Sequence, residues 1–176
     1  MTLAEILFLL LAAYLIIFVG IAWILGRKYL YTNPIEGKDD EGRKWVIEEH
    51  GKSESTSMTL AGFALAALVF VFTANQEQLE SAVIELLVIF LSLAFVLEII
   101  SALCYKHLYA RLYPYYGFVF QYGGLLTILM GFFIFLGDRY PTSEGIWGIY
   151  GGAILIFFIL TGRELQLYVK QWRLSR

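Results

Sequence analysis

Five long apolar stretches, separated by polar intervals, set the pattern of this chain. The first runs from about Ile6 to Leu25 with no charge inside it, and the second from Met58 to Ala74. The third, about Ser81 to Cys104, carries two acids, Glu85 and Glu98. The fourth, Tyr115 to Gly137, and the fifth, about Gly145 to Gly162, are uncharged. A hydrocarbon core of about 30 Å is crossed by roughly 20 apolar residues in a helix. The pattern therefore predicts an all-α fold: one polytopic integral membrane domain over residues 1–176 with five transmembrane helices. The first stretch lacks a basic leader, its apolar run is too long, and Arg27 and Lys28 follow it, so it reads as a span and not as a signal peptide.

The polar intervals give the orientation. Basic residues favour the cytoplasmic side of a membrane. Of the 13 Lys and Arg residues, all but Arg139 fall in the loop 32–57 with its approach, between spans three and four, or in the tail 163–176. The N-terminus is therefore expected outside and the C-terminus in the cytoplasm, with localisation to the cell membrane. Tyr109, Tyr113, Tyr115 and Tyr116 crowd the inner end of span four, and Tyr140, Trp147 and Tyr150 mark the outer side, where amphipathic rings favour the headgroups. In the tail, Leu165, Tyr168, Val169 and Trp172 recur at helical spacing between basic residues. This reads as a continuation of span five into an amphipathic helix on the lipid surface or against a membrane-protein partner.

Composition agrees with the pattern and removes other classes. The chain is 59% hydrophobic and 16% charged, against about 25% charged in soluble domains. Its net charge of −2 gives no basic footprint for nucleic acid. Two His and one Cys make neither a disulfide framework nor a four-ligand zinc site, and no cofactor motif is present. No nucleophile has a local base, and the phosphate-loop and HExxH patterns are absent. The sequence predicts no enzyme.

Four polar or small-residue features remain. Glu98 lies six residues before Cys104, about 9 Å inside the inner boundary, where a carboxylate is costly and marks a polar pathway or a paired site. It reads either as a structural acid, protonated or paired with Arg163 at the end of span five, or as a group that handles ions or protons. In span two, Thr59, Phe63, Ala66, Phe70 and Thr73 follow at intervals of four and three and line one helix face. Copies arranged around an axis would make a narrow apolar pore with hydroxyls near its ends. Gly62 with Ala66 is a small-xxx-small pair, and Tyr122-Gly123-Gly124 recurs as Tyr150-Gly151-Gly152; both are candidate close-packing points. Asp39, Asp40 and Glu41 read as a solvated acidic patch, lacking the spacing of a calcium loop.

The stretch Ser55 to Val71, STSMTLAGFALAALVFV, resembles the pore helix of the Orai family of calcium channels. Thr56, Ser57, Leu60, Gly62, Phe63, Ala64, Ala67, Val69 and Val71 match that family's pattern, and Leu86-Leu87-Val88-Ile89-Phe90 is similar to the start of its second span. The resemblance implies that span one is an extra helix, that span two lines the pore of a homo-oligomer, and that cations pass along it. The family's selectivity glutamate falls at Phe70, its inner basic residue at Ser55 and its pore valine at Ala66, so calcium selectivity does not carry over. Glu77 or Glu80 would then supply outer carboxylates. A homo-oligomeric ion channel is the expected function; the alternative is a non-catalytic structural or accessory subunit of a membrane complex.

Overall fold

A computed structural model describes residues 3–24, 37–74, 82–107, 112–139 and 144–174. Among them the fold is all-helical, with α1 Leu3–Ile24, α2 Asp40–Ala74, α3 Ala82–Lys106, α4 Leu112–Arg139 and α5 Glu144–Leu174. The described residues of the apolar stretches predicted from sequence all lie in these helices. Helices close their backbone hydrogen bonds within the segment, which is what a lipid interior demands. Three are long and apolar enough to cross a membrane: α2, α3, and α4 over Pro114–Gly137. The described apolar stretches of α1 and α5 are shorter, Leu9–Ile21 and Gly151–Arg163. This is a helical membrane protein.

Helix α2 departs from expectation at its start. Residues Asp40 to Ser57, read as part of a polar loop, are helical and continuous with the apolar segment. The whole helix has 35 residues, about 52 Å at 1.5 Å per residue. Asp39 explains the start: its Oδ1 accepts from the Gly42 N–H at 2.8 Å and its carbonyl from the Arg43 N–H at 2.9 Å, an N-cap. Asp40 and Glu41 then occupy the first turn, where negative charge favours the helix dipole. Further along, Lys52 pairs with both Glu48 and Glu49 at 3.0 Å, which holds one exposed turn together. The acidic patch is thus a helix start. Helix α5 likewise runs on to Leu174, so the tail is helical and continuous with the fifth apolar stretch. The side chains of Leu165, Tyr168, Val169 and Trp172, and the rings of Tyr113, Tyr140, Trp147 and Tyr150, lie outside the described residues, as does Tyr109.

Helix α4 is the hub. It packs most extensively on α3 and also meets α1 and α5, while α2 packs mainly on α3. Leu11 and Tyr14 of α1, Phe118, Val119, Leu126 and Met130 of α4, Phe90 of α3 and Phe157 of α5 share one core cluster. Leu68 and Val71 of α2 interlock with Ile84, Leu87 and Leu91 of α3. Two tyrosines tie α1 to α4 reciprocally: the Tyr14 hydroxyl donates to the Val119 carbonyl at 3.2 Å, and the Tyr115 hydroxyl to the Phe18 carbonyl at 2.8 Å.

The small residues work differently from the sequence reading. Gly62 and Ala66 are exposed, and a Cβ at Gly62 would meet nothing within 4 Å. The close approach of α2 instead uses Ala61 and Ala64, with Ala64 packed against Ala94 and Ile128. A Cβ at Gly123 would touch Leu15, Tyr14 and Leu97, so that glycine is a packing point. Gly151 and Gly152 have open space, so the second Tyr-Gly-Gly is not one among the described residues.

Candidate functional site

Two regions collect the residues singled out above. The first is the outward face of α2. Thr59, Phe63, Ala66, Phe70 and Thr73 are all exposed, Phe63 to 52% and Phe70 to 68%. They point away because Ala64, Leu68 and Val71, one position round the helix, are drawn onto α3. The threonine hydroxyls are turned back on their own helix: Thr59 Oγ1 donates to the Ser55 carbonyl at 2.8 Å and Thr73 Oγ1 to the Val69 carbonyl at 2.9 Å. With their protons engaged, both oxygens keep only lone pairs to offer any other partner. Between them the face is apolar. Phe63 and Phe70 border a groove of about 290 Å³ whose other walls are Leu87 and Leu91 of α3 and Phe132 and Phe135 of α4. Phe63 and Phe132 face each other across it with ring centroids 6.3 Å apart.

The second region is polar and buried, between α2, α3 and α4. Glu98 is fully buried, with 0% exposure, as are Ser57 and Ser101. Helix periodicity puts Ser101 one turn after Glu98 on the same face of α3, and Ser57 meets it from α2. The two serine oxygens are 2.8 Å apart, and Ser101 Oγ donates to the Gly117 carbonyl of α4 at 2.7 Å. Two glycines admit this arrangement. A Cβ at Gly117 would stand 3.0 Å from the Tyr105 ring, and one at Gly124 would stand 2.5 Å from Glu98 Oε1. Tyr105 also donates to Gln121 Oε1 at 3.1 Å. The two carboxyl oxygens of Glu98 have no hydrogen-bond partner among the described residues.

The structure does not bring Arg163 to Glu98. Arg163 is exposed on α5, and no ion pair joins the two. Glu85 is exposed at the start of α3, well separated from Glu98. Glu77 and Glu80 lie outside the described residues. Among the described residues, no group of three or more His, Cys, Asp or Glu is placed to hold a metal ion. The sequence reading missed Ser101, Gly117 and Gly124 as partners in the Glu98 region. The i, i+3 spacing of Glu98 and Ser101 was the available signal.

Comparison with protein-family models, with curated proteins and with solved structures finds no match to this chain.

Proposed function

We propose that the protein is a homo-oligomeric, Orai-like cation channel in which the outward face of α2 surrounds a central pore. All five helices then cross the cell membrane, with the N-terminus outside and the C-terminus in the cytoplasm. The observation that carries the reading is that Thr59, Phe63, Ala66, Phe70 and Thr73 are all exposed along one face of α2. One helix cannot enclose a conduit, so such a face serves conduction only when several copies meet. The inward-turned threonine protons leave oxygen lone pairs near both ends of the face, which favours cations over anions. Phe70 occupies the position of the family's selectivity glutamate, so the reading does not extend to calcium selectivity.

The native mass in a mild detergent, followed by flux from liposomes, tests the proposal. A ring of several copies that passes cations is the expected result. A monomer that conducts nothing when well folded overturns it. A stable stoichiometric complex with a different membrane protein, and no flux, supports the accessory-subunit alternative.

A further inference from the structure

The inward faces of α2, α3 and α4 change character at the level of Glu98. On α3, the buried residues Ile84, Leu87, Leu91 and Ala94 lead to Glu98 at steps of three and four, and Ser101 and Tyr105 follow it at the same steps. Helix α2 runs antiparallel and switches with it. His50 stands against Tyr105 and Ser57 against Ser101, whereas Ala64, Leu68 and Val71 pack along the apolar half. On α4, Gly117 and Gln121 accept from Ser101 and Tyr105, and Ile128 joins Ala64 and Ala94. The seam is therefore polar between Glu98 and the end of α3, and apolar in the other direction.

Glu98 sits at the junction with no exposure, and neither carboxyl oxygen has a hydrogen-bond partner among the described residues. No cation is buried with it. Arg43, Lys44 and Lys52 of α2 and Lys106 of α3 are exposed, Arg139 is the last residue of α4, and α1 carries no basic residue. The buried or half-buried titratable side chains described on these helices are Tyr14 of α1; Glu49, His50 and Glu54 of α2; Cys104 and Tyr105 of α3; and Tyr115, Tyr116 and Tyr122 of α4. None hydrogen-bonds to either carboxyl oxygen. A buried charge with neither counter-charge nor donor is far more costly than a neutral acid in the same place. The carboxyl therefore holds its proton in this packing.

Because no hydrogen bond reaches the carboxyl, exchanging that proton requires the seam to part. The two halves part at different cost. In the polar half, Ser57, Ser101, Tyr105 and Gln121 exchange their hydrogen bonds for bonds to water, at little net loss. In the apolar half, Leu68, Leu91 and Ile128 would lose their burial outright. We infer that Glu98 is a proton-binding site that exchanges with one side of the membrane only, the side at which α3 ends, through the polar half of the seam. On the orientation proposed above that side is the cytoplasm. The site and its one-sidedness do not depend on the pore reading, because both concern the interior of one copy.

Two measurements on the full chain in detergent or lipid test this. Infrared spectroscopy should show the carbonyl stretch of one un-ionised carboxylic acid per chain at neutral pH, absent from Glu98→Gln. Folded protein without that band overturns the proton site. Should Glu98→Gln fail to fold, Gly124→Ala assigns the band, because a Cβ there would crowd Glu98 Oε1; a band it leaves unmoved belongs to another acid and overturns the site. For the route, Ser101→Cys and Ala94→Cys are compared in a Cys104→Ala background. Both positions have 0% exposure and flank Glu98 on one face of α3, so a difference between them reports opening and not static access. The probe is silver ion in chloride-free buffer, read as the thiol left for maleimide after denaturation. Ser101→Cys should react faster by roughly tenfold or more, the scale set by exposing one buried branched side chain. Equal rates, two unreactive thiols included, or a faster Ala94→Cys overturn the one-sided route. Should Ala94→Cys fail to fold, Leu91→Cys, smaller than the native side chain, takes its place with the same expected order.

Discussion

Glu98 of α3 and Gly124 of α4 occupy each other's space: a Cβ at position 124 would stand 2.5 Å from Oε1 and 2.9 Å from the carboxyl carbon. Gly124 is therefore the condition for a carboxyl at this depth between the helices. Gly124→Ala must push α3 and α4 apart or drive the carboxyl off its rotamer. Overpacking of this kind costs about 1–3 kcal/mol. Gly151→Ala, with nothing within 4 Å, should leave stability unchanged or slightly raised. Because the two groups are in contact, their effects should not add: Glu98→Ala should tolerate Gly124→Ala far better than the wild type does. Unfolding midpoints of the four variants in one detergent check this, and equal losses from Gly124→Ala in both backgrounds would refute the contact.

A second expectation concerns how α1 is held. Tyr14 and Tyr115 donate in opposite senses across the α1–α4 contact, at 3.2 and 2.8 Å, and both rings are buried. Hydrogen bonds between helices in membranes are worth about 0.6 kcal/mol on average. Tyr14→Phe and Tyr115→Phe should each cost about that much, since the rings keep their packing. Tyr115→Ala should cost about 3–5 kcal/mol through the cavity it leaves. Unfolding measurements in a single detergent provide the comparison. Equal losses from Tyr115→Phe and Tyr115→Ala would show that the hydroxyl, not the ring, fixes α1.

The helices were legible in the sequence because apolar run length alone decides which segments can satisfy lipid. Their inner geometry was not. Gly62 and Ala66 satisfied the small-xxx-small rule yet face outward, while Ala61 and Ala64 are buried, Ala64 against Ala94 of α3 and Ile128 of α4. In a helix rich in small and branched apolar residues every face looks alike, and only the partner surface chooses between them. Glu98 was conspicuous, but its surroundings were not. Ser57, Ser101 and Gly117 come from three helices, and no spacing within one segment reveals that they meet. The N-cap at Asp39 was visible as an acidic cluster, but the same residues also suit a solvated loop.

Solution pH should act on the polar extension of α2 through His50. This residue lies two turns before Met58, its ring centroid 6.3 Å from that of Tyr105, and its buried Nδ1 has no hydrogen-bond partner among the described residues. Burial lowers its pKa below the usual 6.5; Glu49 opposes that shift and Lys38 adds to it. The sign follows directly. Below 6.5 the unfolded chain binds a proton that folded His50 resists, so this contribution is complete above 6.5 and is lost as pH falls through the lower, folded pKa. Stability should therefore drop on acidification through this window. His50→Gln should flatten that part of the profile and leave the alkaline side unchanged. Unfolding midpoints measured across the window decide it, and identical slopes in both proteins would exclude His50 as the source.

The exposed ring of Phe70 offers the most direct access to the pore reading. It is 68% exposed on the outward face of α2, three residues before Thr73, whose hydroxyl donates back to the Val69 carbonyl. If copies of α2 meet around an axis, Phe70→Glu adds one carboxylate per copy at a single level of the conduit. Rings of carboxylates select cations, so divalent flux should rise over the wild type. The charge should also cost little stability, because water in the conduit and the approaching cation solvate it. If the face meets lipid instead, the same carboxylate stands in hydrocarbon at a cost of roughly 2.5–3.5 kcal/mol for a charge at the helix centre. The variant would then lose stability and gain no flux. Measuring flux and unfolding on one preparation of Phe70→Glu separates the two, because only the pore predicts a gain in flux and only the lipid face predicts a marked loss of stability.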